Sequence, residues 1–353
     1  LNTQKTILVA PLYWGLGHAT RCIPIIRALL ERDYNVILAS DGEALALLRK
    51  EFPELRSMEL PAYNISYTKK GSWFKLKMLL KLPHLQKTIK AEKKAIKKLV
   101  SSEAIHGIIS DNRMGVRDKR VPSVFITHQL QVLSGSTSFA TTKIHQKYIR
   151  KFDHCWVPDA AGPYNLSGKL GHLTNNSFPV TYMGPLSRMK AQKRPKKYDY
   201  IAVLSGPEPQ RTLLEEKLIA AFKETNLKLL LVQGKVAEEQ ALLKKNNIRV
   251  VNYLQTEALE KALNESACVI ARSGYTTIMD LAALQKDAFL IPTPGQYEQK
   301  YLAKQLKQKG MIPSCSQEKF SIKRLGQVWV YKGFHQPFES PDFDALFRFF
   351  ERK

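Results

Sequence analysis

Short, continuously apolar runs alternate with amphipathic helical stretches along the chain, and the series occurs twice. In the first half KTILVAPL, YNVILAS, GIISD, VPSVFITH and HCWVPD read as strands, with TRCIPIIRALLERD and DGEALALLRKEF as helices. In the second half the strands are YDYIAVLSG, LKLLLVQG, IRVVNYL, ACVIARSG and AFLIPTP. The helices there are TLLEEKLIAAFKET, AEEQALLKKN, TEALEKALNES and TTIMDLAALQ. A sheet with one wet face alternates polar and apolar residues. Strands that are apolar throughout are covered on both faces, the habit of parallel sheets wound with helices. Two such series in 353 residues, more than one core comfortably serves, predict an α/β protein of two doubly wound, Rossmann-like domains facing each other across a cleft. The boundaries fall at 1–185 for the first domain, 186–198 for a Lys-, Arg- and Pro-rich linker, and 199–336 for the second domain. A C-terminal helix over 337–353, capped by Ser340 with Pro341 at its first position, is placed to pack back on the first domain.

Ligands of such sheets bind at the carboxyl ends of the strands, so the residues that follow strands carry the chemistry. After the first strand comes Gly15-Leu16-Gly17-His18. Glycine there permits positive φ and close approach of backbone to a ligand, and histidine exchanges a proton near neutral pH. Three junctions of the second half are equally unusual: Leu204-Ser205-Gly206-Pro207, Arg272-Ser273-Gly274-Tyr275-Thr276-Thr277, and Pro292-Thr293-Pro294-Gly295 leading to Glu298 and Gln299. A Ser-Gly at a helix start offers backbone amides and the positive end of the helix dipole to an anion. Asp280 lies about 10 Å further along the same helix axis. With a diphosphate at the helix mouth, that carboxylate is placed to accept from ribose hydroxyls. The bland alternative for each residue is a cap, a turn or an ordinary ion pair, and only their convergence on one sheet edge points to a nucleotide-diphosphate site.

The segment ARSGYTTIMDLAALQKDAFLIPTPGQYEQKYLA, residues 271–303, resembles the donor-binding region of family 28 glycosyltransferases of the GT-B fold. The best-known member of that family is the cell-wall enzyme that adds N-acetylglucosamine to a polyprenyl-linked acceptor. LSGPEPQR resembles the loop opening the family's second domain, VVNYL the segment beside the uracil, GLGH its glycine-rich loop and ITHQL its histidine loop. The resemblance implies metal-independent transfer of an N-acetylglucosamine-like sugar, with inversion, from a UDP-sugar to a membrane-borne or lipid-linked acceptor. The UDP-sugar is a co-substrate, and no other cofactor is implied. Ser273, Gly274 and Thr276 are then expected around the diphosphate, Arg272 and Gly206 elsewhere in the donor site, and Leu254 beside the base. Asp280 falls at the ribose, and Glu298 with Gln299 at the donor sugar. Gly15 and Gly17 form the acceptor loop. His18 is the first candidate for the base that takes the acceptor proton, with His128 and Asp111 behind it. Asp280 stands where the cell-wall enzymes carry a glutamate, and Lys300 where they carry a second glutamine, which bears on the identity of the sugar.

Composition narrows the partners. Lysine and arginine number 55 against 31 acids, a net charge of +24 that attracts polyanions. Residues 68–100 alone hold eleven lysines and one acid, Glu92, interleaved with bulky apolar side chains. That mixture suits an anionic membrane surface, with Trp73, Phe74, Lys75, Lys77 and Lys81 as the contacts. Core-packed helices with solvated lysine faces are the alternative. No run reaches the length of a membrane span, and the apolar N-terminal stretch is too short for a signal peptide. The expected location is therefore cytoplasmic, peripheral to the inner membrane face. Four dispersed cysteines argue against a zinc site or disulfide framework. Asp342-Phe343-Asp344 has the form of a metal-binding pair but falls in the first turn of the terminal helix, where acids favour the dipole. No metal is expected. A UDP-sugar epimerase or hydrolase of the same fold is the competing reading. A basic nucleic-acid binder lacks a recognisable module, and a dinucleotide oxidoreductase lacks the third glycine of its fingerprint.

Overall fold

The structure is a computed structural model that describes residues 4–63, 82–175, 177–206, 208–235, 242–334 and 338–351. The chain divides into two compact units, the first ending at Leu186 and regaining the chain from Glu339, the second spanning Ser187–Phe338.

The first unit is built on a seven-stranded sheet of order β3-β2-β1-β4-β5-β6-β7. The strands are β1 (Thr6–Pro11), β2 (Asn35–Ser40), β3 (Ser57–Glu59), β4 (Gly107–Asp111), β5 (Ser123–Ile126), β6 (His154–Val157) and β7 (Val180–Tyr182). All the pairings are parallel. Every residue of β4 and β5 is buried, so the apolar runs do mark strands covered on both faces. On one face Leu8, Ala10, Ile37, Ala39 and Ile108 pack against Ile96 and Leu99 of α3 (Leu82–Ser102). In-register pairing carries that face across to Phe125 and Cys155, which pack against Ile149 of α4 (Ser138–Ile149). Crossovers in parallel sheets are right-handed, so α1 (Gly17–Leu30) and α2 (Gly42–Glu51), which wind the chain toward β3, lie on the other face. There the C-terminal residues return: Phe347 and Phe350 are 2 % and 1 % exposed and meet Trp156 at ring-centroid distances of 6.5 and 6.0 Å. Each such ring contributes roughly 2–3 kcal/mol of burial.

The helix that carries these rings, α10 (Phe343–Phe347), is capped by Asp342, whose carboxylate accepts from the Ala345 amide at 3.0 Å. The expected cap at Ser340 is therefore displaced by two residues, because an aspartate with an amide three positions ahead makes the stronger N-cap. Asp344 pairs with Arg32 at 2.6 Å.

The second unit has a six-stranded sheet of order β10-β11-β9-β8-β12-β13. Its strands are β8 (Tyr198–Val203), β9 (Leu229–Val232), β10 (Leu242–Lys245), β11 (Ile248–Val251), β12 (Ser266–Ala271) and β13 (Asp287–Leu290). The helices are α5 (Gln210–Lys223), α6 (Thr256–Asn264), α7 (Tyr275–Ala283), α8 (Tyr297–Gln308) and the short α9 (Ile322–Leu325). Leu214, Leu218 and Phe222 of α5 pack on Tyr200, Leu229, Ile270 and Phe289 of the sheet. The end of AEEQALLKKN, expected as helix, is strand β10, antiparallel to β11. Asn246 takes φ +51, a left-handed conformation asparagine tolerates, and so closes a hairpin where the helical pattern would have run on.

Candidate active site

Each sheet reverses its winding between its first strand and the strand that follows the crossover. Such switch points open a crevice at the strands' carboxyl ends. In the first unit this point lies between β1 and β4, and Leu12 extends it by donating its amide to the Asp111 carbonyl at 2.9 Å. The chain then turns through Gly15, at φ +83 with open space where a Cβ would stand, and starts α1 at Gly17. His18 and Arg21 stand three residues apart in the first turns of α1, hence on one helix face.

Four groups meet there. The Asp111 carboxylate, fully buried at the end of β4, receives Arg21 Nε at 2.5 Å and Arg21 Nη2 in a two-pronged pair. His18 Nδ1 lies 2.9 Å from Asp111 Oδ1 and 2.8 Å from Arg21 Nη2. Arg21 Nη1 reaches His128 Nδ1 at 3.2 Å. Sequence reasoning named His18, His128 and Asp111, and the fold brings all three together. It left Arg21, only 2 % exposed, without a role. The available signal was its spacing from His18 in a helix that an apolar face otherwise fills.

Burial opposes ionisation of Asp111, but Arg21 and His18 more than offset it and hold the carboxyl well below the usual carboxylate range. For His18, burial and then the Arg21 charge disfavour the imidazolium and outweigh the pull of Asp111, so its pKa falls below the ordinary histidine value. The shift favours the neutral imidazole. Nδ1 lies between an acceptor, Asp111 Oδ1, and a donor, Arg21 Nη2, and the tautomer that donates Nδ1–H to Asp111 is the one that leaves the Nε2 lone pair for a proton. The cluster has the parts of a general base with an orienting carboxylate.

In the second unit the switch point lies between β8 and β12. Gly206, at φ +97, turns the chain after β8, and Gly274 starts α7 after β12. A Cβ on Gly274 would approach nothing nearer than Thr277 Oγ1 at 3.9 Å, so the helix mouth is open to a ligand. Thr276 is half-buried in the first turn of α7. Asp280, also half-buried, accepts from the Ser187 hydroxyl at 2.6 Å. Burial raises its pKa to about 6, against the pull of Ser187 and Arg188. Leu254 follows β11, and Glu298 is half-buried in the first turn of α8.

Three of the residues expected around the donor turn their side chains inward. Arg272 is 1 % exposed, and its guanidinium donates to the carbonyls of Ile291 at 3.1 Å and Gln210 at 2.7 Å and to Gln317 Oε1 at 2.7 Å. The Ser273 hydroxyl donates to the Gln299 carbonyl at 2.8 Å, and Gln299 Oε1 accepts the Thr293 amide at 2.8 Å. These side chains weld the junctions after β12 and β13 to each other. What they present at the helix mouth is backbone.

Trp73, Phe74, Lys75, Lys77 and Lys81 lie outside the described residues. Among the described residues no helix is long and apolar enough to cross a membrane.

The two units are doubly wound, with sheets parallel apart from the β10–β11 pair, and comparison with known proteins gives the class. The kitacinnamycin glycotransferase matches with a TM-score of 0.65 at 12 % identity, over 98 % of this chain and 99 % of that one. MurG of Acinetobacter baumannii matches with a TM-score of 0.57 at 14 % identity, over 99 % of this chain and 100 % of that one. An uncharacterized glycosyltransferase of Methanosarcina acetivorans is 22 % identical over 324 residues, 84 % of this chain and 82 % of its own. The protein is a glycosyltransferase. Residues 201–335, nearly all of its second unit, match the Glycosyltransferase family 28 C-terminal domain.

Proposed function

We propose that the protein moves an N-acetylglucosamine-like sugar from a UDP-sugar to a hydroxyl of a membrane-borne or lipid-linked acceptor, with inversion and without a metal. The observation that carries the reading is the His18–Asp111–Arg21 cluster at the β1/β4 switch point. His18 Nε2 takes the proton of the acceptor hydroxyl as its oxygen attacks the anomeric carbon. The bond from that carbon to the β-phosphate oxygen breaks, and UDP leaves with the electron pair. Asp111 orients the ring and stabilises the imidazolium that forms, while Arg21 keeps Asp111 ionised. In the second unit the amides and dipole of α7 receive the developing diphosphate charge, Asp280 accepts from the ribose, Leu254 flanks the base, and Glu298 reads the sugar. The lysine-rich composition of residues 68–100 supports an acceptor held at an anionic membrane surface.

Calorimetric titration with UDP, AMP, NAD and a DNA duplex, repeated with EDTA and with Asp280→Ala, tests the donor half. UDP is expected to bind selectively, indifferent to EDTA and weakened in the variant. Binding of NAD or duplex in its place overturns the proposal. Turnover of UDP-N-acetylglucosamine without any acceptor would point instead to an epimerase or hydrolase.

A further inference from the structure

The face of the first sheet covered by α3 and α4 carries a feature the transfer reaction does not use. A pocket of about 250 Å³ opens between the two helices. Lys90 and Lys93 of α3, Arg117 of the loop after β4, and Lys151 just beyond α4 line it, with Met114 and the Tyr148 ring as apolar wall. Among the described residues its lining includes no carboxylate. The nearby acids have hydrogen-bond partners outside the pocket, although Asp118 and Asp153 also act on the Arg117 charge. Glu92 of α3 turns into the core onto Arg113 Nε at 2.7 Å, the Gly115 amide at 2.9 Å and the Tyr63 hydroxyl at 2.6 Å. Asp118 takes Arg120 Nε at 2.8 Å, and Asp153 accepts the Ser123 amide at 2.8 Å.

The cations are held together rather than scattered. Arg117 is half-buried and donates Nη1 to the Lys151 carbonyl at 3.2 Å, while Lys151 Nζ stands 4.4 Å from the Tyr148 ring centroid. Burial and then the charges of Arg117, Lys147 and Lys93 lower the Lys151 pKa, so these groups repel one another at close range. Four cations from three elements around one concavity, with no carboxylate among the described lining residues, are complementary to a multiply charged oxyanion. The volume far exceeds the ~30 Å³ of a water molecule and leaves room beside a phosphate for part of the group that carries it.

We propose that this pocket is a phosphate-binding site, with Lys90, Lys93, Arg117 and Lys151 taking the phosphate oxygens and Tyr148 and Met114 flanking the attached group. A soluble phosphoester and a phospholipid headgroup present the same chemistry to it. The site does not rest on the donor or catalytic assignments above, but it shares Lys90 and Lys93 with the lysine-rich segment 68–100 that supports the membrane reading. It lies on the face of the sheet opposite α1, which carries His18.

The test compares the full chain with two triple variants of equal charge change. Lys90→Gln/Lys93→Gln/Lys151→Gln strips the pocket. Lys94→Gln/Lys97→Gln/Lys98→Gln removes three α3 lysines outside it. All six are exposed, so both variants are expected to fold. Each protein is titrated with inorganic phosphate at constant ionic strength. It is also sedimented with phosphatidylcholine vesicles, with and without one third phosphatidic acid. The pocket triple is expected to lose binding by about tenfold or more, and the control triple by less than about twofold, since only the first removes charge-assisted contacts. Pocket-dependent binding of phosphate identifies a soluble ligand. Pocket-dependent binding of the acidic vesicles alone identifies a headgroup. Equal loss in the two triples, or no binding of either probe by the parent protein, overturns the proposal.

Discussion

Replacing Asp111 by asparagine separates the two jobs assigned to that carboxylate, because the change keeps the shape and removes the charge. His18 Nδ1 lies 2.9 Å from Asp111 Oδ1 and 2.8 Å from Arg21 Nη2. At an effective dielectric of about 20 each of these contacts is worth roughly 6 kcal/mol to a protonated imidazole, with opposite sign. The two nearly cancel, and burial decides the outcome, which is why the His18 pKa falls. In Asp111→Asn the attraction is gone and the Arg21 repulsion stays. The His18 pKa must then fall further, and the acid limb of the kcat/KM profile must move to lower pH. The rate itself is expected to drop by about 10²–10⁴-fold, since the imidazolium formed during transfer loses its counterion and the ring its orienting acceptor. The assay is initial-rate transfer across pH 4.5–9, with circular dichroism on the same samples to show that the variant is folded. An acid limb that stays in place or moves to higher pH refutes the electrostatic argument. So does an undiminished rate.

The Asp280 pKa of about 6 lies above the value of an unfolded aspartate, so its ionisation costs stability as pH rises from the ordinary aspartate range through about 6. Asp280→Asn is expected to raise the Tm at pH 7.5 relative to the parent and to leave it little changed at pH 4. In the parent, UDP affinity is expected to weaken as pH falls through about 6, when the ribose acceptor is protonated, and titration calorimetry at several pH values checks it. Arg113 is fully buried and holds Glu92 and Asp41, the latter at 2.5 Å. Arg113→Leu leaves both acids without a cation, and denaturant unfolding is expected to show a loss of about 3–5 kcal/mol. Gly234 has φ +70, and a Cβ there would lie 2.4 Å from the Leu204 carbonyl oxygen. Gly234→Ala is expected to cost about 2 kcal/mol or more by the same measurement.

The doubly wound architecture was legible because parallel strands buried on both faces leave apolar runs that survive without any tertiary context. His18 and Asp111 stood out for a related reason, since one follows a glycine turn and the other ends a strand, while Asp280 stood out by its spacing from the Ser-Gly that opens its helix. Arg21 did not. An arginine on an amphipathic helix reads as a solvated side chain, and only the β1–β4 pairing puts a carboxylate beside it. Arg272 shows the opposite failure. Next to Ser-Gly it reads as a donor-site residue, yet its donors go to carbonyls of loops some twenty and sixty residues away in sequence, which no local pattern encodes. The β10 hairpin was missed because LLKK fits a helix as well as a strand, and the deciding left-handed turn rests on a single asparagine.

The return of the last residues to the first unit has a consequence for how the protein is made. Phe347 and Phe350 complete a core begun by Ile7 and Trp156. Synthesis runs from the N-terminus, so the ribosome emits the whole second unit before the final pieces of the first. The second unit has all its strands in one continuous span and can fold as it emerges. The first must wait with an apolar face uncovered. It is the unit that a chaperone would meet, and the one that a lesion in residues 343–350 would leave unfinished.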